Sequence, residues 1–350
     1  MNDIASTQRL TGWRVTEQAS LRARNTFRVD ATAAALVEVD SVDTLPEMFA
    51  HVRARYGDEV LVLGGGSNML LTRDWPGTVV AIGARGAAVM EDRGDSALVR
   101  CAGGETWNDF VHWSLAQGYV GLENLALIPG RVGAAPIQNI GAYGSEVKEF
   151  IAMVNAYDRV SGQNVSLDNA TCAFGYRDSL FKREAGRYLI TSVDFVLPRE
   201  RELRVDYAGV REELAAMGVT TPDAKAVAMA IVRVRTRKLP DPALIGNAGS
   251  FFKNPTVTVE RCAELRADHP QMAAWPAFEG GMKLSAAWLI ESCGFKGLRE
   301  GDAGVSTQHA LVLVNYGKAT GAQILSLARR IQDTVATRFG VHLEAEPLII

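Results

Sequence analysis

Two glycine-rich stretches decide most of what this chain can fold into. In the first, Val60-Leu-Val-Leu-Gly-Gly-Gly-Ser-Asn68, a short apolar run goes straight into three consecutive glycines; the second extends from Pro129-Gly130 through Gly133 and Gly141 to Gly144. Glycine accounts for 33 of 350 residues, above the ~7% of an average protein, and the excess is clustered. Residues without Cβ reach positive φ freely, so several N–H groups can converge on an anion such as a pyrophosphate. The first stretch is not a Walker A loop, since no Gly-Lys-Ser/Thr follows. As a dinucleotide fingerprint it is incomplete, because Met69 stands where a third glycine would be. A tight turn without a ligand remains the alternative.

The second stretch, Glu123 to Gly144, carries small residues and amides over some twenty positions with almost no charge. Such a segment lets main chain approach a large flat ligand while Ile128, Val132, Ile137 and Ile140 cover it; a buried structural loop is the competing reading.

Around these stretches the periodicities are of mixed type. Leu45, Met48, Phe49, Val52 and Tyr56, closed by Gly57, predict a helix over Thr44 to Tyr56, and Trp107, Phe110, Val111 and Leu115 predict another before Gly118. Glu59 to Leu63, Thr78 to Ile82, Ile151 to Tyr157, Tyr188 to Leu197 and Ala310 to Val314 read as strands. Further helices are expected from Thr221-Pro222 to about Arg235, from Leu284 to Cys293, and from Thr320 to Phe339 with a capping box at Thr320 and Gln323. Lys238-Leu-Pro-Asp-Pro242 cannot continue a helix and marks the main expected boundary. The divisions read are 1–87, 88–237 and 238–350.

Balanced charge, 37 basic against 40 acidic residues, argues against a nucleic-acid binder, which must neutralise phosphates with a basic face. No apolar run approaches the ~20 residues of a membrane span. The first residues, Met-Asn-Asp-Ile-Ala-Ser, carry no signal-peptide pattern, so a cytoplasmic protein is expected. Four dispersed cysteines and five unpaired histidines suggest reduced thiols and no metal site.

Three more segments carry chemistry-bearing residues. Phe174-Gly-Tyr-Arg-Asp-Ser179 sets Arg177, a permanent planar cation, beside Tyr176. Gly246-Asn-Ala-Gly-Ser-Phe-Phe-Lys-Asn-Pro255 presents Ser250 after a flexible glycine, with Lys253 and Asn254 close behind. In Leu343-Glu-Ala-Glu-Pro347, Glu344 and Glu346 share a side if extended.

In order and spelling, Gly64-Gly-Gly-Ser-Asn68, the run from Ile128-Pro-Gly to Ala-Tyr-Gly144, Tyr176-Arg-Asp-Ser179, Lys238-Leu-Pro-Asp-Pro242, Gly246 to Pro255 and Leu343-Glu-Ala-Glu346 resemble the UDP-N-acetylenolpyruvoylglucosamine reductase family from about Asn25 onward. The resemblance implies an α+β fold: a two-part FAD-binding domain of the vanillyl-alcohol-oxidase (PCMH) type plus a C-terminal α+β substrate-binding domain. It implies non-covalent FAD with NADPH as co-substrate, a UDP-sugar substrate, no nucleic-acid or membrane partner, and a monomer. The flavin would be held by Gly64, Gly65, Gly66, Ser67 and Asn68, by Ile128, Gly130, Gly133, Ile137, Ile140 and Gly141, and by Arg235. Tyr176, Lys238, Lys253 and Asn254 would meet the substrate. Tyr207 and the insertion around 275–304 resemble the subclass that closes a tyrosine over it, while His309 stands where the family has glutamine.

The implied reaction reduces the enolpyruvyl C=C. Hydride added to the terminal carbon pushes charge onto the adjacent carbon and its carboxylate; Arg177 would hold that carboxylate, Glu346 when protonated would donate to it, and Ser250 would deliver the proton. A flavin oxidase of the same fold and a non-catalytic nucleotide-binding module are the rival readings.

Overall fold

Strand alternation and helical stripes build two layers in the first part of the chain. The computed structural model describes residues 6–207, 209–277 and 280–350; the extreme N-terminus read for a signal and two positions of the 275–304 insertion lie outside them. Strands β1 (Thr7–Leu10), β2 (Trp13–Ser20), β3 (Thr32–Val39), β4 (Val60–Val62) and β5 (Trp75–Ile82) form a sheet in the order β1-β2-β3-β5-β4. Both β3 and β4 pair with β5 in parallel. Between β3 and β4, helix α1 (Leu45–Tyr56) buries Leu45, Met48 and Val52, at i, i+3 and i+7, against Val37, Val39 and Val80.

A second, antiparallel sheet follows from β6 (Ala87–Asp92), β7 (Ser96–Ala102), β8 (Ile151–Asp158), β9 (Gln163–Asp168) and β10 (Tyr188–Pro198), in the order β9-β8-β10-β7-β6. The period-2 pattern of β7 buries Ala97, Val99 and Cys101. Helix α2 (Trp107–Ala116), read before Gly118, drives Trp107, Phe110, Val111 and Leu115 into the same core as Val193 and Phe195. Helices α3 (Val210–Ala216) and α4 (Ala224–Lys238) follow, and α4 adds Val227 and Ile231 to that core. The helix expected from Thr221-Pro222 begins at Ala224, where the Asp223 carboxylate accepts the N–H of Ala226 at 2.7 Å. The helix continues past Arg235 to Lys238, where Leu239-Pro240 ends it.

The chain divides into two units: the residues through Ala19 with Ala33–Gly65 and Trp75–Arg235, and Ser20–Thr32 with Gly66–Asp74 and Thr236–Ile350. In the second, strands β11 (Gly246–Asn247), β12 (Ala303–Val305) and β13 (Leu313–Asn315) pair in the order β11-β13-β12. The strand expected at Ala310 to Val314 starts only at Leu313, because Val312 N–H turns back to the His309 carbonyl at 3.0 Å. Around this sheet lie α5 (Val259–Asp268), α6 (Ala286–Ser292) and α7 (Gly321–Phe339). The expected capping box holds α7: Gln323 N–H donates to Thr320 Oγ1 at 3.2 Å and Thr320 N–H to Gln323 Oε1 at 2.9 Å. Leu348–Ile349 pairs in parallel with Met69–Leu70, so the last residues of the chain are fixed in this unit.

Candidate functional site

The predicted site residues fall into two groups, one in each unit. In the first unit, β4 delivers Gly64 and Gly65 against the second glycine stretch. A Cβ on Gly65 would lie 2.9 Å from the Gly130 Cα, so the two main chains touch where neither has a side chain. Gly133 N–H donates to Gly103 O at 2.9 Å, Trp107 N–H to Gly130 O at 3.1 Å and Val132 N–H to Glu105 O at 2.9 Å, which fixes this bare backbone surface to the start of α2. Ile140 is buried, Ile128 and Ile137 partly so.

The Tyr176–Arg177 turn is stitched to the same stretch by three bonds. Buried Asn139 donates Nδ2–H to Gly175 O at 2.9 Å, Ser179 Oγ–H donates to Ile137 O at 2.5 Å, and Arg177 Nη2–H donates to Gly141 O at 2.8 Å. Arg177 itself has φ +54°, Asn139 +44° and Tyr143 +48°. Such backbone costs on the order of 1 kcal/mol or more per residue and persists only where neighbouring bonds impose it. The guanidinium of Arg177 lies 5.6 Å from the Tyr176 ring centroid, and Tyr176 is exposed.

Arg235 joins this group. Among the described residues its buried Nε has no hydrogen-bond partner; burial lowers its pKa, the Tyr143 hydroxyl opposes that shift, and the charge of Arg177 adds to it. Two permanent cations in a partly dry environment suit an anionic ligand. Beside them the Tyr143 and Tyr207 rings meet edge to face, 5.4 Å between centroids. Both line a cavity of about 560 Å³ together with Gly144, Arg204 and Asp206.

In the second unit, Ser250 and Glu346 are carried on paired backbone. Glu346 N–H donates to Phe251 O at 2.8 Å and Lys253 N–H to Glu344 O at 2.9 Å, with Phe252 opposite Ala345. Phe251 and Phe252, both buried, anchor the segment. Ahead of it, buried Asn247 donates Nδ2–H to Pro240 O at 2.9 Å and to Ile245 O at 2.8 Å, and its Oδ1 accepts from Gly249 N–H at 3.0 Å. Ser250 therefore follows a fixed turn at Gly249, φ +71°.

Asn68 is brought to the same place: its Nδ2–H donates to Glu346 O at 3.3 Å, and Leu348 N–H donates to Asn68 O at 3.0 Å. Gly66, φ +60°, fits closely under Arg24, where a Cβ would fall 2.0 Å from the carbonyl oxygen. Lys253 ion-pairs with Glu344, and Asn254 Oδ1 accepts the Ala286 N–H at 3.0 Å at the start of α6. Phe251 N–H donates to Leu311 O at 2.7 Å, which sets the His309 turn beside Ser250.

His309 Nδ1 accepts from Leu311 N–H at 3.2 Å. Burial lowers its pKa, the charges of Lys238 and Lys296 lower it further, and Glu291 partly opposes them. The unfolded chain thus takes up this proton first as pH falls, so stability drops below about pH 6.5. His309→Gln is expected to flatten the fall of thermal stability between pH 6.5 and 5 by up to about 1.4 kcal/mol per pH unit; melting curves with the same pH slope in both proteins contradict this.

Sequence reading did not single out Asn124, Asn139 or Tyr143. The first two work by holding carbonyls far along the chain; the only local signal was the unusual supply of amides between Glu123 and Gly144.

Comparisons with known proteins place the chain in a family. Residues 33–167 match the family described as FAD binding domain, and residues 241–350 the one described as UDP-N-acetylenolpyruvoylglucosamine reductase, C-terminal domain. The UDP-N-acetylenolpyruvoylglucosamine reductases of Xanthomonas euvesicatoria pv. vesicatoria (strain 85-10) and Xanthomonas axonopodis pv. citri (strain 306) are each 56% identical over 341 residues, 97% of both chains. The crystal structure of UDP-N-acetylenolpyruvylglucosamine reductase from Thermus caldophilus shares the fold, with a TM-score of 0.65 over 99% of both chains at 22% identity.

Proposed function

The chain belongs to the UDP-N-acetylenolpyruvoylglucosamine reductase family, and from that premise we propose that Arg177, Ser250 and Glu346 together receive the charge and the proton that its reaction moves. The protein is an FAD-containing, NADPH-dependent oxidoreductase of peptidoglycan precursor synthesis, reducing the enolpyruvyl C=C of UDP-N-acetylenolpyruvoylglucosamine to UDP-N-acetylmuramate. The names of the relatives favour this over an oxidase of the same fold.

The residues present fit the flavin. Gly65 and Gly130 let the two glycine stretches pack main chain on main chain, and among the described residues the buried Nε of Arg235 has no hydrogen-bond partner, which suits an anionic group. Bound FAD supplies the hydride chemistry that no amino acid can. Gly64 to Asn68, the stretch from Ile128 to Gly141, and Arg235 would hold it.

The rest belongs to the side chains of this chain. Arg177, pinned through Gly141, holds the substrate carboxylate as a fixed cation while negative charge builds on it. Glu346 donates to the same oxygens, and Ser250 gives its proton to the carbon bearing the carboxylate. Lys238, Lys253 and Asn254 face the diphosphate and sugar, with Tyr176, Tyr207 and His309 completing the substrate contacts. The reading keeps the monomer and the cytoplasmic location expected from the sequence. Among the described residues, no helix is long and apolar enough to cross a membrane.

The observation that carries this reading is the pairing of the Ser250 segment with the Glu346 segment, residues nearly 100 positions apart joined through Glu346 N–H and Phe251 O. Arg177→Lys tests the remaining member. It keeps the charge and loses the two-pronged donor geometry, so reoxidation of the reduced enzyme by substrate should slow by about 10- to 100-fold, the worth of one hydrogen bond to a charged group. A variant reoxidised at the wild-type rate removes Arg177 from the mechanism.

A further inference from the structure

We infer that Asn124 is a positioning residue that sets the Tyr143–Tyr207 pair, with Arg204 as its partner in the task. The inference rests on the reading of Tyr207 as a substrate-facing side chain and deepens it. Asn124 is fully buried, and its one amide nitrogen joins two segments 60 residues apart: Nδ2–H donates to Tyr143 O at 2.8 Å and to Arg204 O at 2.9 Å. Tyr143 and Gly144, both with positive φ, form the two-residue turn of a small hairpin in which Ala142 pairs with Ser145 and Gly141 with Glu146. Residues 201–206 have no regular structure, so the bond from Asn124 to Arg204 O ties the irregular segment to the hairpin turn. The backbone next to Asn124 is fixed by Trp107, whose Nε1–H donates to Leu125 O at 2.9 Å.

Arg204 closes the same junction from outside. Its Nη1–H donates to Gly144 O at 2.5 Å and Ser145 Oγ at 3.2 Å, and its guanidinium meets both carboxylate oxygens of Glu149, at 2.8 and 2.7 Å. On the far side, Val210 N–H donates to Tyr207 O at 3.1 Å at the start of α3. Tyr207 therefore sits on a short span tied at Arg204 and again at Val210, with its ring half exposed against the edge of Tyr143. An aromatic pair so placed presents a preset wall to a ligand in the adjoining cavity, and a preset wall is reflected in binding rather than in the chemical step.

The test is a double-mutant cycle on the FAD-loaded enzyme, with UDP-N-acetylenolpyruvoylglucosamine as the varied substrate. Asn124→Ala is expected to raise its KM about tenfold, the effect of losing a buried hydrogen-bonded anchor, with little change in kcat. Tyr207→Ala should raise KM likewise, and the double variant should be no worse than Tyr207→Ala alone. Arg204→Ala should reproduce the KM effect and Arg204→Lys should recover part of it; if Asn124→Ala cannot be isolated with flavin, Arg204→Ala takes its place in the cycle. Effects of Asn124 and Tyr207 that multiply, or a fall in kcat at unchanged KM, overturn the inference while leaving the reading of Tyr207 intact. A Tyr207→Ala enzyme with wild-type KM overturns that reading and the inference with it.

Discussion

Enzyme carrying Ser250→Ala should still have its flavin bleached by NADPH at close to the normal rate, yet its reoxidation by the enolpyruvyl nucleotide should slow by ~10²–10⁴-fold, the range of a lost general acid. The separation of the two half-reactions is the informative part. A serine hydroxyl is too weak an acid to protonate anything but a strongly basic centre, so its loss affects only the step that creates a carbanion. The substitution should leave the local backbone intact, because Gly249 is placed by Asn247, and Phe251 is held by Leu311 and Glu346 rather than by the Ser250 side chain. Rapid-mixing traces with normal reoxidation would take Ser250 out of the acid role; slowed bleaching by NADPH would mean that the hydroxyl instead supports flavin or nicotinamide binding.

Glu346→Gln should lower turnover by ~10²–10³-fold, the typical cost of removing one donor aimed at developing negative charge. Glutamine keeps the size and a donor, but it is a far weaker acid, and its amide must turn its NH₂ end to the substrate to donate at all. The residue reaches its place through main chain, by Glu346 N–H to Phe251 O and by Asn68 Nδ2–H to Glu346 O, so the variant should fold and retain flavin. Near-normal turnover counts against Glu346 as a donor to the intermediate, whereas loss of flavin at normal intrinsic rate would point to a role at the cofactor.

Local rules read some elements well and others not at all. In α1 the apolar stripe and the closing glycine agree, in α7 the stripe and the capping box, and both helices lie where the pattern puts them. The hairpin of β1 and β2 left no comparable mark, since Thr7–Leu10 is mostly exposed and shows no alternation of burial. Helix α5 was missed for a similar reason: it buries only Cys262 and Leu265 and leaves Val259 exposed. The grouping of Ser20–Thr32 and Gly66–Asp74 with the C-terminal part depends on bonds such as Asn315 Nδ2–H to Phe27 O at 2.9 Å and on the pairing of Leu348 with Met69, neither of which has a local signature.

The site shows the same division. Glycine runs, an arginine turn and a serine after glycine announce themselves in sequence because their chemistry is unusual where it stands. Asn124 and Asn139 do not, because each acts on a carbonyl 19 to 80 residues away and resembles any other loop amide until the chain is folded. Arg235 was recognisable only as a weak phosphate candidate at the end of a helix; the coupling to Tyr143 and Arg177 appears in three dimensions alone.

Oxidised, FAD-loaded enzyme crystallised with UDP-N-acetylenolpyruvoylglucosamine provides the most direct measurement, since the oxidised flavin cannot reduce the bound alkene. The substrate carboxylate is expected within hydrogen-bond reach, ~3 Å, of both the Arg177 guanidinium and the Glu346 carboxyl, with Ser250 Oγ facing the carbon that bears it. A complex in which the alkene lies against the flavin but any one of the three groups points elsewhere would contradict the shared receipt of charge and proton by Arg177, Ser250 and Glu346.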